Sequence, residues 1–350
     1  MRVCLMNDHY HRSSGAAIAI QRVSRAAPAD VSYIFAGCGH KQRIEDLSWI
    51  EPGQYRQFDI KSSNPFRLIR EIIRLKKWLK EQKCDLIHSH HRRLAVLARL
   101  TGVPVLYTGQ LVFEEEAWFR WFHPKYMTAI TPSVAQNLFE TTGQKTVACI
   151  GNPVLFPATI PEIDTESVKT RAVCVARLEP VKGHVHLLAA WKILYDRGYR
   201  YHLDLVGEGS LKDQLVELVK EYGLSEYVHF CGYTKNVNVH IERALFAILA
   251  SRIEGQGIVT LEAAANGRAS LVTAVPGSVD MVPQNAQLSN RIPYGEENAL
   301  ADCIEQWFSD PKEVVREGER FYQFLKSSSD PEVITQRYRD VYRQILKPKV

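Results

Sequence analysis

Glu254 and Glu262 stand eight residues apart across a turn and the helix behind it. The turn follows an apolar run, 244–250, that reads as a buried strand. The helix former 260–265 closes at Asn266-Gly267. Gly255 and Gly257 let the backbone come close to a ligand. The amides that open a helix have no internal acceptor and favour an anion. A carboxylate beside an anion site is costly unless it meets hydroxyls. The combination therefore suits a ligand carrying both a sugar and a phosphate. Alone, such a pair reads as readily as a solvated loop carboxylate and a first-turn helix acid.

A second pair changes that balance. Arg177 and Lys182 lie in Val175-Ala-Arg-Leu-Glu-Pro-Val-Lys-Gly183, behind an expected strand at 171–176. Ligands of open parallel sheets bind at the carboxyl edge of the strands. Arginine brings a planar fork and lysine a point charge, both matched to phosphate oxygens. By themselves they are two solvated cations; with the Glu254 turn they form a grip. Gly207-Glu208-Gly209 follows an expected strand at 201–206, and Gly232 ends another at 227–231.

The elements that must hold these residues repeat a βα rhythm. In the first half, strands are expected at 3–6, 31–36, 86–88, 105–108, 127–130 and 146–150, with helices near 15–26, 65–82, 91–101 and 132–142. The second half restarts the pattern at 171–176, with further strands at 201–206, 227–231, 244–250 and 270–274 and helices at 184–197, from 210 to 222, and at 260–265. Strands alternating with helices imply a parallel sheet covered on both faces. The stretch 151–170, rich in Pro and Thr and without period, reads as a linker. The expectation is α/β, two Rossmann-like doubly wound domains: 1–160, then 161–330, then a helix at 331–350 returning to the first domain.

With 350 residues, two domains are expected. The seven cysteines are scattered and never form Cys-x-x-Cys, which argues against a disulfide framework or a structural zinc and for a reducing cytoplasm. No apolar run is long enough to span a bilayer, and the opening residues do not read as a secretory signal. Net charge is +5 but uneven: residues 1–165 hold 21 Lys+Arg against 15 Asp+Glu, and 166–350 hold 23 against 24. This mild charge, following one helix, argues against a nucleic-acid partner. That helix, 65–83, sets Leu68, Ile69, Ile72, Ile73, Leu75 and Leu79 on one face and Arg67, Arg70, Arg74, Lys76, Lys77, Lys80 and Lys83 on the other. It reads either as a solvated face packed on the sheet or as a surface meeting anionic lipid heads. The stretch 114–124, with acids ahead of two Trp and two Phe, reads either as a loop helix tucked onto the core or as an acceptor or membrane-interface surface.

Two local signals exclude more than they assign. Ser13-Ser-Gly15 opens a helix after the first strand, either a plain tight turn or a ligand approach. It lacks G-x-G-x-x-G, so a nicotinamide or flavin cofactor is not supported. His88 and His90, two apart on a strand end, lack a clear carboxylate or cysteine to complete a metal site.

These motifs in order, with the sequence around Asp85-Leu-Ile-His-Ser-His90 and Gln336-Arg-Tyr-Arg-Asp-Val-Tyr342, resemble retaining nucleotide-sugar glycosyltransferases of the GT-B fold, family four. The resemblance covers nearly the whole chain. It implies two Rossmann-like domains facing a cleft, closing over a nucleoside-diphosphate sugar. It also implies roles: Arg177 and Lys182 on the donor diphosphate, Glu254 on sugar hydroxyls, and the Gly257, Ile258 and Val259 backbone on sugar and phosphate. Glu262 would take the ribose, the strand ending at Gly232 the base, with Gly207 and Glu208 beside it, and Gly15 the phosphate from the other domain. Front-face transfer without a metal or other cofactor follows from the same analogy. Two departures stand out. Gln256 replaces a frequent Phe, and Thr108-Gly-Gln110 replaces a frequent Thr-x-His, which places Gln110 in the site. The implied acceptor is a glycan or lipid-linked intermediate of lipopolysaccharide or polysaccharide synthesis, handled in the cytoplasm or peripherally at the inner membrane face. A nucleotide-sugar epimerase and a degenerate nucleotide-sugar-binding subunit remain as alternatives.

Overall fold

A computed structural model describes residues 1–10, 14–38, 47–112, 117–288 and 291–347. The chain divides into two compact units, 1–153 with 330–350, and 154–329.

Among the described residues, the first unit holds a seven-stranded parallel sheet: β1 (Arg2–Asn7), β2 (Ser32–Gly37), β3 (Tyr55–Gln57), β4 (Leu86–Ser89), β5 (Val105–Gly109), β6 (Tyr126–Ala129) and β7 (Ala148–Cys149). Their order is β3-β2-β1-β4-β5-β6-β7. Alternation along β1 feeds two cores. Cys4 and Met6 join Ile72, Leu75, Trp78, Phe119 and Leu138. Val3 and Leu5 join Ile20, Val23, Ile334, Tyr338 and Tyr342. Both faces are thus covered, which is why the strands read as continuous apolar runs. Helix Pro331–Leu346 belongs to this unit. Asp330 caps it by accepting from the amides of Glu332 and Val333, and Asp30 binds its Arg339 and Arg343 at 2.8 and 2.9 Å.

The second unit holds six described parallel strands: β8 (Arg171–Val175), β9 (His202–Val206), β10 (Val228–Gly232), β11 (Phe246–Leu249), β12 (Ser270–Thr273) and β13 (Arg291–Ile292). Their order is β10-β9-β8-β11-β12-β13. The chain runs outward from β8 through β9 to β10, then returns to β11 on the other side of β8. The order therefore reverses between β8 and β11, the switch point where such sheets bind ligands at their carboxyl ends. The loops after these two strands carry Arg177, Lys182 and Glu254.

Three features depart from the sequence reading. β3 and β13 are two or three residues long, too short to leave a period. Helices Glu297–Ser309 and Pro311–Ser329 fill the stretch before residue 331. In helix Pro65–Glu81 the buried set is Glu71, Ile72, Leu75, Trp78 and Leu79. Ile69 and Ile73 instead point outward with Phe66, at 56, 62 and 82 % exposure. At 100° per residue, positions 66, 69 and 73 form a second stripe beside the buried one. The aromatic cluster splits likewise. Phe119 is buried against Tyr107 and under Arg92, while Trp118, Trp121 and Phe122 are exposed. Glu114 to Glu116 lie outside the described residues.

Candidate active site

The site in the second unit is assembled from backbone approaches that only glycine allows. After β8 the chain makes a 3-10 turn, Pro180–Lys182, and enters helix His184–Asp196 through Gly183 at φ 70°. A Cβ on Gly183 would lie 2.0 Å from the Ala250 carbonyl oxygen. That close approach sets Lys182 against the loop after β11, and the Arg252 amide donates to the Val181 carbonyl at 2.8 Å. From the other side Gly277, at φ 87°, leaves no room for a Cβ, which would lie 2.5 Å from the Gly255 oxygen. Residues 251–257 are thereby held on both flanks.

In this frame Lys182 Nζ contacts Glu254 Oε1, with both side chains mostly buried. The Ser251 hydroxyl donates to the same oxygen at 2.9 Å. Thr273 Oγ1 in turn donates to the Ser251 carbonyl at 2.5 Å. A buried carboxylate is thus satisfied by an ammonium and a hydroxyl, as a low-dielectric site requires. Behind them, burial and then the Lys182 charge hold His184 down to about 4, so it is neutral at pH 7. Burial pushes the neighbouring Cys174 thiol up to about 12.

Helix Ile258–Ala265 begins at Gly257, whose left-handed φ of 68° aims the chain back toward the strand ends. The first amides of a helix lack internal acceptors, and here these belong to Ile258 and Val259. Thr260, buried in the same turn, donates its amide to the Gly257 carbonyl. Gln256 is buried between Glu254 and this helix start in sequence, and Glu262 sits half-buried one turn along. Gly207, at φ 148°, lies against β8, where a Cβ would come 2.0 Å from the Ala176 oxygen. Its amide donates to the Gly232 carbonyl at 2.9 Å, and the Leu178 amide donates to the Glu208 carbonyl at 3.0 Å. The turn 207–209, the end of β10 and the Arg177 loop are therefore one hydrogen-bonded edge. Arg177 is exposed on it, while Glu208 pairs with Lys212 at 3.0 Å. The Glu179 carboxyl is held low by the Ser210 hydroxyl and amide, with Arg177 contributing.

In the first unit, β1 is likewise the point of reversal. Gly15 is the exposed first residue of helix Gly15–Arg25, which follows β1; Ser13 ahead of it lies outside the described residues. Gln110, just past β5, has its Nε2 2.9 Å from Nδ1 of His90, just past β4. Burial drives His90 down to about 3. His88 is tied by Nε2 to Thr108 Oγ1 at 2.6 Å and by Nδ1 to Tyr342 Oη at 2.8 Å. It is a core histidine that anchors the last helix.

Family models match both parts: "Glycosyl transferases group 1" over residues 159–324 and "Glycosyltransferase Family 4" over residues 14–154. Together the two models span most of the chain, which belongs to the glycosyltransferases. A lipopolysaccharide core biosynthesis glycosyltransferase of Rhizobium meliloti is 22% identical over 319 residues, covering 87% of this chain and 91% of that one. A poly(glycerol-phosphate) alpha-glucosyltransferase of Bacillus subtilis is 28% identical over 105 residues, 30% of this chain and 16% of that one. The chain spans less than half the length of the first curated relatives it matches. In fold it is similar to Anabaena HepE, solved with UDP and glucose, at a TM-score of 0.81 and 14% identity, covering 98% and 100% of the two chains. The fold is GT-B.

In this glycosyltransferase the structure brings Lys182 and Glu254 into contact and places Arg177, Gly207, Glu208, Gly232 and the 257–259 helix start on the same strand-end edge. Gly15 and Gln110 lie in the other unit. Sequence reasoning passed over Ser251, Thr273 and Gly183. Ser251, three residues before Glu254 at a strand end, was a readable signal. Thr273 was not, because its role depends on the pairing of β11 with β12.

Proposed function

We propose that the glycosyltransferase moves a sugar from a nucleoside-diphosphate sugar to a hydroxyl of a glycan or lipid-linked acceptor, retaining the anomeric configuration and using no metal or other cofactor. The observation that carries this reading is the Lys182–Glu254 contact at the β8/β11 switch point. A cation that can meet phosphate stands beside a carboxylate that can meet sugar hydroxyls.

The costly event is charge separation. The anomeric C–O bond breaks, leaving an oxocarbenium-like sugar and a diphosphate. Lys182, Arg177 and the Ile258 and Val259 amides take up the leaving charge in a preorganised way. The acceptor oxygen forms its bond on the face the diphosphate leaves, and its proton goes to a leaving phosphate oxygen. Glu254 orients the sugar, Glu262 the ribose, and the edge of Gly207, Glu208 and Gly232 the base. In the first unit, Gln110 is held by a neutral His90. The two cations and the helix start supply the positive charge that a divalent ion would otherwise bring. Relatives named as a poly(glycerol-phosphate) alpha-glucosyltransferase and a lipopolysaccharide core biosynthesis glycosyltransferase, and a fold neighbour solved with UDP and glucose, support this donor and acceptor class.

The acceptor class fits the first unit's outer surface. Phe66, Ile69, Ile73, Leu100, Trp121 and Phe122 are all exposed, among Arg70, Arg74, Lys77, Lys80 and Arg99. Arg99 itself bonds the Phe122 carbonyl at 2.8 Å. Apolar side chains interleaved with cations match an anionic lipid surface. No helix among the described residues is long and apolar enough to cross a membrane. The test is a panel of nucleotide sugars assayed for thermal stabilisation and slow donor hydrolysis. One donor should stabilise the protein and be hydrolysed without acceptor, releasing the nucleoside diphosphate. Epimer formation without release, or binding without turnover, would contradict transfer.

A further inference from the structure

On the face of the second sheet that Ile241 and Val237 cover, one trio of metal-ligating side chains converges among the described residues. Asp204 on β9, Cys231 on β10 and His240 on helix Asn238–Glu242 each place one ligand atom within 4.8 Å of the others. We propose that these three side chains form a zinc-type divalent-metal site, separate from the transfer chemistry and set beside the base-binding end of β10.

The topology explains the convergence. β9 and β10 are parallel neighbours with Asp204 opposite His229. Cys231 lies at the irregularity in this pairing, between Phe230 and Gly232, and packs on the face that Ile241 and Val237 cover. The helix packs above this face through Ile241 and Val237, and it delivers His240. The donor set is borderline in softness: one thiolate, one carboxylate and one imidazole, a mixture that zinc accepts with a water completing four ligands. Two anionic donors balance the ion's charge. Arg171 holds Asp204 Oδ1 at 2.5 Å, the kind of outer partner that fixes a ligating carboxylate. His202 and His229, stacked with a ring nitrogen separation of 3.1 Å, lie next along the same two strands.

In the metal-free protein, burial and the Asp204 charge raise the Cys231 thiol, with Arg171 and Arg243 facing it and opposing that rise. Thiolate ligation displaces the thiol proton, so metal binding releases a proton. Gly232 follows Cys231 directly and accepts the Gly207 amide. An occupied site would fix the strand end that the proposed base contact uses. Sequence spacing could not mark the site, since its ligands come from three elements and no Cys-x-x-Cys frames them.

The test uses the full chain stripped with a chelator, then titrated with Zn2+ by calorimetry and with Co2+ by absorption. The expected result is one equivalent bound, with a thiolate-to-cobalt charge-transfer band. Cys231→Ser should abolish the band and weaken Zn2+ binding by at least tenfold. His240→Ala should weaken it similarly, and circular dichroism should show both variants folded. Alkylation of Cys231, followed by peptide mapping, should slow when Zn2+ is present. Stoichiometric Zn2+ binding that is unchanged in Cys231→Ser would overturn the proposal. So would the absence of the cobalt band in the folded wild-type protein, or alkylation of Cys231 that Zn2+ does not slow. Donor turnover is not the readout, so failure here leaves the transferase reading untouched.

Discussion

Lys182 and Glu254 depend on each other before any ligand arrives. Removing one partner of a buried pair leaves an uncompensated charge, at a cost of about 3 kcal/mol or more. Lys182→Ala should therefore lower the melting temperature as well as cut turnover by roughly two to three orders of magnitude. The double variant Lys182→Met with Glu254→Gln, which removes both charges, should recover most of the melting temperature while turnover stays low. Recovery of turnover would remove the phosphate role. Arg177 makes the contrasting case. It is exposed, so Arg177→Ala should leave the melting temperature unchanged yet slow turnover by roughly two orders of magnitude through lost charge stabilisation. Full activity in Arg177→Ala, measured with saturating donor, would place Arg177 outside the site. At this scale the charged residues were legible because a strand, a turn and a cation repeat in a readable order. Ser251 was legible as well, three residues before Glu254 at a strand end; Thr273 was not, since it acts only once β11 and β12 are neighbours.

Elements that bury both faces announce themselves, and those that do not are misread. The interior strands of both sheets stand out as apolar runs because helices cover them on each side. β3 and β13 escape notice because pairing, not composition, makes them strands. Helix Pro65–Glu81 shows a subtler limit. Its apolar residues suggest one stripe, yet Trp78 completes the buried face while Phe66, Ile69 and Ile73 turn outward. These three large apolar side chains left in water carry the proposed lipid contact. Replacing all three with Ser should abolish co-sedimentation with vesicles containing anionic lipid. Stability should change by only about 0.5 kcal/mol per exposed site. Retained vesicle binding in this variant would detach the helix from the membrane reading.

Across the whole molecule, buried neutral histidines tie stability to pH. His90, His184 and His88 are all pushed below the ordinary value of 6.5, the first two to about 3 and about 4. The unfolded chain protonates these rings near pH 6.5, whereas the folded chain resists until far lower. Stability is thus fully present above 6.5 and lost as pH falls toward 4 and then 3. Calorimetric melting temperature should drop steadily from pH 6.5 to 4. A folded His184→Gln variant should show a shallower drop; an equal slope would mean His184 does not contribute. The two-unit α/β plan followed from rhythm alone, while the positions of individual side chains needed the strand order.

The central claim is that Lys182 and Glu254 mark a nucleoside-diphosphate site. Calorimetric titration of nucleoside diphosphates into the wild type and the Lys182→Met, Glu254→Gln double variant tests it most directly. At least one nucleotide should bind the wild type, and the folded double variant should bind it at least about tenfold more weakly, the loss expected for a charge-assisted contact. Equal affinity in both proteins, or no nucleotide bound by either, would contradict the account.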